Sequence, residues 1–158
     1  MDPLKIAHES FSIEKIYKAA PNSVFSAWGS LSSKSKWFIG PKDWVQVKRE
    51  LDFRVGGNEV LQGRFGDRLK TVYTARFHSI LPDQRIVFVY DMHLNDAIHS
   101  VSLASVEIEG LSGGRTRLTF TEQVAFLDGT PGNEGNVSRK NGTEAHLDRL
   151  ALFLGEEE

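Results

Sequence analysis

Residues 86–126, IVFVYDMHLNDAIHSVSLASVEIEGLSGGRTRLTFTEQVAF, decide the fold, because they join three strand-like segments through two short turns. The turns, Asn95-Asp96 and Ser112–Gly114, have the residue types that tight hairpins require. The first segment is mostly apolar, and the other two alternate apolar with polar side chains, as half-buried strands do. Since parallel pairing would need a crossover helix, such short connections predict neighbouring antiparallel strands. The segments are residues 86–94, 98–109 and 115–126.

Four further strands are expected before these segments: three extend the meander toward the N-terminus, and the first precedes two helices. Gly56-Gly57 separates two of them and lacks the Lys-Ser/Thr pair and the helix that a phosphate-binding loop needs, so we expect a tight turn there. Leu81–Asp83 forms the turn before residue 86. The four strands are predicted at residues 9–18, 44–53, 58–65 and 69–80.

Two short helices are expected after the first strand. Pro21 ends that strand and suits the first turn of a helix. Residues 24–28 supply an apolar stripe at helical spacing. The Ser-rich stretch Leu31–Ser35 interrupts this helix, and Lys36–Phe38 predicts a second helical turn.

The C-terminal region predicts one long helix. Residues 128–136 are rich in Gly, Asn and Pro and predict a loop, after which Ser138 is a candidate N-cap for a helix that runs to about Leu154. We expect Asp148 and Arg149 to face solvent on this helix. Its apolar stripe has the spacing i, i+3, i+4, i+7 and consists of Leu147, Leu150, Ala151 and Leu154.

The order of these elements is strand, two short helices, six strands and one long helix. It predicts an α+β fold in which a curved antiparallel sheet of about seven strands wraps around the C-terminal helix. A single helix cannot fill the concave face of so wide a sheet. We therefore expect a cavity between sheet and helix, of the kind in which a small molecule binds.

Composition narrows the function classes. With 158 residues, 40% of them apolar, and a net charge of −2, the chain is expected to form one folded domain over residues 1–158. The absence of Cys excludes disulfides, thiolate zinc sites and cysteine nucleophiles. The basic residues are scattered along the sequence and form no cluster that would bind a phosphate backbone, so we expect no nucleic-acid partner. No apolar run is long enough for membrane insertion, and residues 1–9 lack a signal-peptide stretch, so we expect a soluble, cytoplasmic protein.

Glu122 is the carboxylate of most interest. Strand alternation places it on the same face as Leu118, Phe120 and Val124, which predicts that it points toward the cavity. Tyr90 shares the inward face of its own strand with Phe88, so Tyr90 and Glu122 could hydrogen-bond each other or a ligand. The alternative is that Glu122 is solvated at the cavity mouth or paired with Arg117 or Arg76 on neighbouring strands, and a register shift of one residue would turn it outward.

Aromatic residues are the candidate ligand contacts. Trp28 is expected to be core, whereas Trp37 and Phe38, in the short helical connection, are candidates to line a pocket for a flat ligand. The further candidates on inward strand faces are Tyr73, Phe88, Tyr90 and Phe120, together with Glu122.

The five histidines show no metal-ligand spacing, and we expect neither a metal site nor a cofactor. A two-residue turn at Asn95-Asp96 would place His93 opposite Ile98 and His99 opposite Met92, with the two rings on opposite faces. Most of the histidines are expected at the surface or at strand edges.

The chain resembles the START-like, or SRPBCC, superfamily, and within it the branch named for homology to the activator of the Hsp90 ATPase. The resemblance spans nearly the whole chain in the family's order, and it implies the helix-grip (Bet v 1-like) fold. Thr143 stands where many members have Trp after the glycine of the last helix. The matching segments are Pro21–Trp28, Lys36–Pro41, Arg54–Gly57, Leu81–Phe88, Gly113–Gln123 and Arg139–Leu154.

Three functions agree with this resemblance, because members of the superfamily include lipid carriers, enzymes that cyclise aromatic polyketides, and co-chaperones. The first is binding of a hydrophobic or aromatic small molecule without catalysis. The second is a cyclase- or hydrolase-like enzyme in which Glu122 takes a proton next to a carbonyl and Tyr90 polarises the oxygen. The third is a protein-interaction module for an Hsp90-type chaperone. The sequence also allows a homodimer through a sheet edge or the C-terminal helix and does not decide whether one forms.

Overall fold

The computed structural model describes residues 5–157. This part of the chain forms a mixed α+β structure in which two short helices follow the first strand and a long helix closes the chain. The elements are β1 (Ala7–Tyr17), α1 (Pro21–Gly29), α2 (Leu31–Trp37), β2 (Trp44–Leu51), β3 (Asn58–Phe65), β4 (Leu69–Leu81), β5 (Arg85–Leu94), β6 (Ala97–Leu111), β7 (Arg115–Phe126) and α3 (Gly132–Glu157).

The sheet confirms the predicted class. Its seven strands are ordered β1-β7-β6-β5-β4-β3-β2, and every neighbouring pair is antiparallel. Strands β2 to β7 therefore form a continuous meander, and β1 returns to pair with β7. The connection that carries α1 and α2 runs from β1 at one edge of the sheet to β2 at the opposite edge.

The concave face of the sheet is apolar and packs against α3. Tyr73, Phe88 and Phe120 are buried on this face, as the alternation predicts. The apolar stripe of α3 differs in one position, because Ala151 is exposed and Phe153 is buried in its place. The other stripe residues, Leu147, Leu150 and Leu154, are buried as predicted.

Helix α3 begins six residues before the predicted Ser138 cap, so residues 132–136 are helical instead of forming a loop. The amide of Gly135 donates to the carbonyl of Pro131 at 2.9 Å and starts the helical hydrogen bonds. A side chain at Gly135 would meet the Phe126 ring, with a Cβ only 2.8 Å from it. The glycine that favours a loop in the sequence thus allows close helix packing.

Helix α2 also starts earlier than predicted. The Ser-rich stretch Leu31–Ser35 is itself helical, because the Ser30 side chain accepts a hydrogen bond from the amide of Ser33 and caps the helix. The predicted turn at Gly56-Gly57 is confirmed, with a positive φ of 83° at Gly56. No helix within residues 5–157 is long and apolar enough to cross a membrane.

The hairpin between β5 and β6 contains a bulge that the sequence did not predict. His93 lies opposite Ile98 as expected, but Met92 pairs with Ser100, so His99 is the extra residue and the predicted His99–Met92 pairing is wrong. The bulge allows the His99 ring to contact Phe126 and His99 Nδ1 to lie 2.6 Å from Asp128 Oδ2. His99 therefore lies beside the start of α3.

Candidate ligand-binding cavity

A cavity of about 450 Å³ lies between the concave face of the sheet and α3. It reaches the surface near Pro41 and Glu134, which are both exposed. Its walls are mainly apolar, and six of the seven candidate contacts predicted from the sequence lie in them. The aromatic wall residues are Trp28, Trp37, Phe38, Trp44, Phe65, Tyr73, Phe88, Tyr90 and Phe120.

Contacts between these rings hold the wall together. The centroids of Tyr73 and Tyr90 are 4.8 Å apart, and Phe38 meets Tyr73 edge to face at 5.1 Å. Trp28 is buried and packs edge to face on Trp37 at 4.7 Å, in agreement with its predicted core position. Trp37 also donates from Nε1 to the carbonyl of Ala27 at 3.0 Å. The rings are thus fixed before any ligand binds.

Trp44 is held by glycines on two sides. A Cβ at Gly63 would lie 2.0 Å from the indole, and a Cβ at Gly40 would lie 2.4 Å from it. The indole Nε1 donates to Thr71 Oγ1 at 3.0 Å. Only glycine at these two positions leaves room for the ring, which joins the α2–β2 loop to the sheet.

Glu122 points inward but does not line the cavity. Its side chain is fully buried, and Oε2 accepts hydrogen bonds from Tyr90 Oη and Ser102 Oγ, both at 2.7 Å, and from Arg139 Nη1 at 3.0 Å. Tyr90 and Arg139 line the cavity, so they lie between it and the carboxylate. The alternative pairing with Arg117 is wrong, because Arg117 binds Glu14 and Glu109 on the exposed face.

Glu122, Tyr90, Ser102 and Arg139 form a hydrogen-bonded cluster, the Glu122 cluster. Burial and the charges within it shift the pKa of Tyr90 and of Arg139. Burial and the nearby Glu122 carboxylate raise the pKa of Tyr90 well above its usual value, so the phenol stays neutral. Burial lowers the pKa of Arg139, but the contacts with Tyr90 and Glu122 outweigh it and the net direction is upward. The cluster is therefore a neutral phenol beside a carboxylate–guanidinium pair.

A second buried ion pair joins α2 to β3. Lys34 Nζ lies 2.7 Å from Glu59 Oε1, and both side chains are only 2% exposed. The ammonium group also lies 4.9 Å from the Phe38 centroid and 5.2 Å from that of Trp28. Lys34 borders the cavity, yet its charge is balanced by Glu59 and by these ring faces.

The end of the cavity near α2 is built by Arg149 and His146. Arg149 donates to the carbonyl oxygens of Trp37 at 3.1 Å and Ile39 at 2.6 Å, and to His146 Nδ1 at 2.8 Å. The prediction that Arg149 faces solvent is wrong. Asp148 is largely exposed, as predicted, and pairs with Lys15.

Four residues at the cavity are not predicted from the sequence. Arg139 would lie inward once α3 is extended to Gly132, since Arg139, His146 and Arg149 are related by helical spacing. Lys34 is one turn before the buried Trp37, so the same spacing identifies it. The bulge hid His99, and His146 was not singled out among the histidines, most of which are expected at the surface or at strand edges; both line the cavity.

Known proteins share this architecture. The chain matches the family model of the Activator of Hsp90 ATPase homolog 1-like proteins, AHSA1, over residues 18–155. A protein from Rhizobium leguminosarum is 40% identical, with a TM-score of 0.88 and coverage of 98% of each chain. A protein from Rhizobium loti is 38% identical, with a TM-score of 0.84 and coverage of 94% of this chain and 99% of that one.

A more distant relative shows the same fold. The AHSA1 protein from Silicibacter pomeroyi is 21% identical, with a TM-score of 0.74 and coverage of 95% of this chain and 100% of that one. No curated protein matches the chain. The family match and the similar structures agree with the helix-grip arrangement of sheet and α3. The chain therefore belongs to the AHSA1-like family of the START-like, or SRPBCC, superfamily.

Proposed function

We propose that the protein binds a neutral aromatic small molecule in the cavity between the sheet and α3. The observation that carries this proposal is a cavity of about 450 Å³ with a mainly apolar wall that contains nine aromatic side chains. Its volume lies within the usual range for small-molecule sites, which are mostly apolar with a few placed polar groups. Flat ligands fit such walls because their rings stack on aromatic side chains.

The charges around the cavity favour a neutral ligand. Arg139 and Lys34 are the cationic side chains among the described lining residues, and each has a buried carboxylate partner, Glu122 or Glu59. An anionic ligand would compete with these carboxylates for the same cations. A neutral ligand leaves both ion pairs intact and loses little hydration on entering.

The cyclase-like alternative receives less support from this geometry. A general base must reach the proton that it removes. Glu122 is separated from the cavity by Tyr90 and Arg139. Its Oε2 accepts three hydrogen bonds, and its Oε1, although without a partner within residues 5–157, is fully enclosed. The co-chaperone alternative rests on the family alone, and stimulation of an Hsp90 ATPase by the purified protein would favour it.

Gly142 offers a direct test, because it lines the cavity between Arg139 and His146 on α3 and a Cβ there would meet no atom within 4 Å. Gly142→Leu is expected to fill part of the cavity and to abolish the thermal stabilisation that neutral two-ring and three-ring aromatic compounds give the wild type. A ligand at a hundred times its Kd should stabilise the wild type by about 2.7 kcal/mol.

Gly155→Leu is the matched control. Gly155 lies on the same helix, away from the cavity, and its Cβ position is also free of contacts within 4 Å. This variant should be stabilised by the same compounds as the wild type. Equal ligand stabilisation of both variants, or none in the wild type across the series, would contradict the proposal.

A further inference from the structure

His146 lies in the cavity wall with one ring nitrogen already engaged. Arg149 Nη2 lies 2.8 Å from His146 Nδ1. A guanidinium group can only donate hydrogen bonds, so Nδ1 must accept and carries no proton. Neutral imidazole has its single proton on one nitrogen, and the arginine therefore fixes it on Nε2.

The imidazole stays neutral at physiological pH. Burial, followed by the nearby Arg149 charge, lowers the pKa of His146 to about 3; the Trp37 backbone opposes this, and Lys34 and Arg49 add to it. The Phe38 ring, with its centroid 4.8 Å from that of the imidazole, supplies apolar surroundings. His146 Nε2 thus remains an uncharged N–H donor over the pH range in which the protein would work.

His146 Nε2–H makes no hydrogen bond to another side chain within residues 5–157, and the backbone group that acts on the ring is the carbonyl of Trp37. The His146 side chain is only partly buried, and Nε2 is not among the fully enclosed polar atoms without a partner in this part of the chain, so the ring retains accessible surface. Since the residue lines the cavity, that surface borders the cavity. The nearby carbonyl of Trp37 already accepts a hydrogen bond from Arg149 Nε.

We propose that His146 Nε2 donates a hydrogen bond to an acceptor oxygen on the ligand, so that the cavity selects neutral aromatic carbonyl compounds over aromatic hydrocarbons of the same shape. This inference rests on the proposed function and specifies its ligand class. Phe38 lies beside the imidazole, so the ring attached to the carbonyl has an aromatic surface next to the donor. The neighbouring phenol of Tyr90 donates to Glu122 instead.

Two probes of nearly identical shape test the inference. 2-Acetylnaphthalene carries a carbonyl oxygen where 2-isopropenylnaphthalene carries a CH₂ group. Wild-type protein should bind the ketone about twofold to tenfold more tightly, the ratio expected for one neutral hydrogen bond. His146→Leu should bind both probes equally, whereas His146→Gln, which keeps an N–H donor near the position of Nε2, should retain part of the preference.

An NMR measurement on the wild-type protein tests the same hydrogen bond and does not depend on the folding of any variant. In NMR spectra, the Hε2 resonance of His146 should move downfield when 2-acetylnaphthalene is added and should not do so with the hydrocarbon. Equal affinities for the two probes in the wild type, or an undiminished preference in His146→Leu, would overturn the inference and leave the proposed function standing. Failure of both probes to bind would overturn both.

Discussion

Replacing Glu59 by Ala should lower the free energy of unfolding by about 3–5 kcal/mol, the usual cost of removing one partner from a buried ion pair. Lys34 would keep its charge in a site where its side chain is 2% exposed, with only ring faces in place of the carboxylate. Burial lowers the pKa of Arg49 whereas Glu59 raises it, so the variant would also remove a favourable charge near this arginine. Urea unfolding of the wild type and the variant measures the loss.

Glu50→Ala is the control for this experiment. Glu50 lies 3.5 Å from Lys48, but both side chains are more than half exposed, so breaking this pair should cost less than about 1 kcal/mol. Replacing both members of the buried pair, with Lys34→Met and Glu59→Leu, should restore much of the stability lost in Glu59→Ala. A loss in Glu59→Ala no larger than in Glu50→Ala would show that the buried pair is not formed.

Alkaline pH should unfold the protein before its tyrosines ionise in the native state. The chain has three tyrosines, and burial raises the pKa of Tyr17, Tyr73 and Tyr90 above the usual value, with a further rise from nearby carboxylates. In the unfolded chain they ionise near pH 10, so their contribution to stability is complete below about pH 10. Above that pH, stability should fall by up to about 4 kcal/mol per pH unit.

Simultaneous recording of tyrosinate absorbance and circular dichroism tests this expectation. The absorbance should rise in one cooperative step that coincides with the loss of the dichroism signal. Tyr17 contributes by donating to the carbonyl of Leu147 at 3.0 Å, a bond that its ionised form could not make. A tyrosine that titrates near pH 10 while the protein is still folded would contradict the burial of that residue.

Strand alternation predicts much of the fold because the sheet is buried on one face only. The inward positions of Phe88, Tyr90, Phe120 and Glu122 follow from the period of two, and the short turns fix the antiparallel order. Alternation fails at His99, where an inserted residue shifts the pairing with Met92. A bulge of this kind leaves no clear pattern in a single sequence.

The charged part of the site is less predictable, since it depends on contacts between elements far apart in the chain. Glu122 can be placed inward from its strand alone, but its partner Arg139 lies on α3. Glycines at positions 132 and 135 and Pro131 indicated a loop, so Arg139 was outside the predicted pattern of inward residues. Lys34 and Glu59 are likewise on different elements. Because Lys and Glu are almost never fully buried unless they are paired, the sequence of either element alone does not predict that its charged residue is buried.

The central claim is that an aromatic molecule occupies the space between the sheet and α3. A crystal structure of the wild-type protein grown with 2-acetylnaphthalene tests it most directly. We predict the naphthalene ring within the aromatic wall near Phe38 and Tyr90, with its carbonyl oxygen within hydrogen-bond distance of His146 Nε2. A cavity that holds only water, or a probe bound only on the outer surface of the protein, would contradict the account.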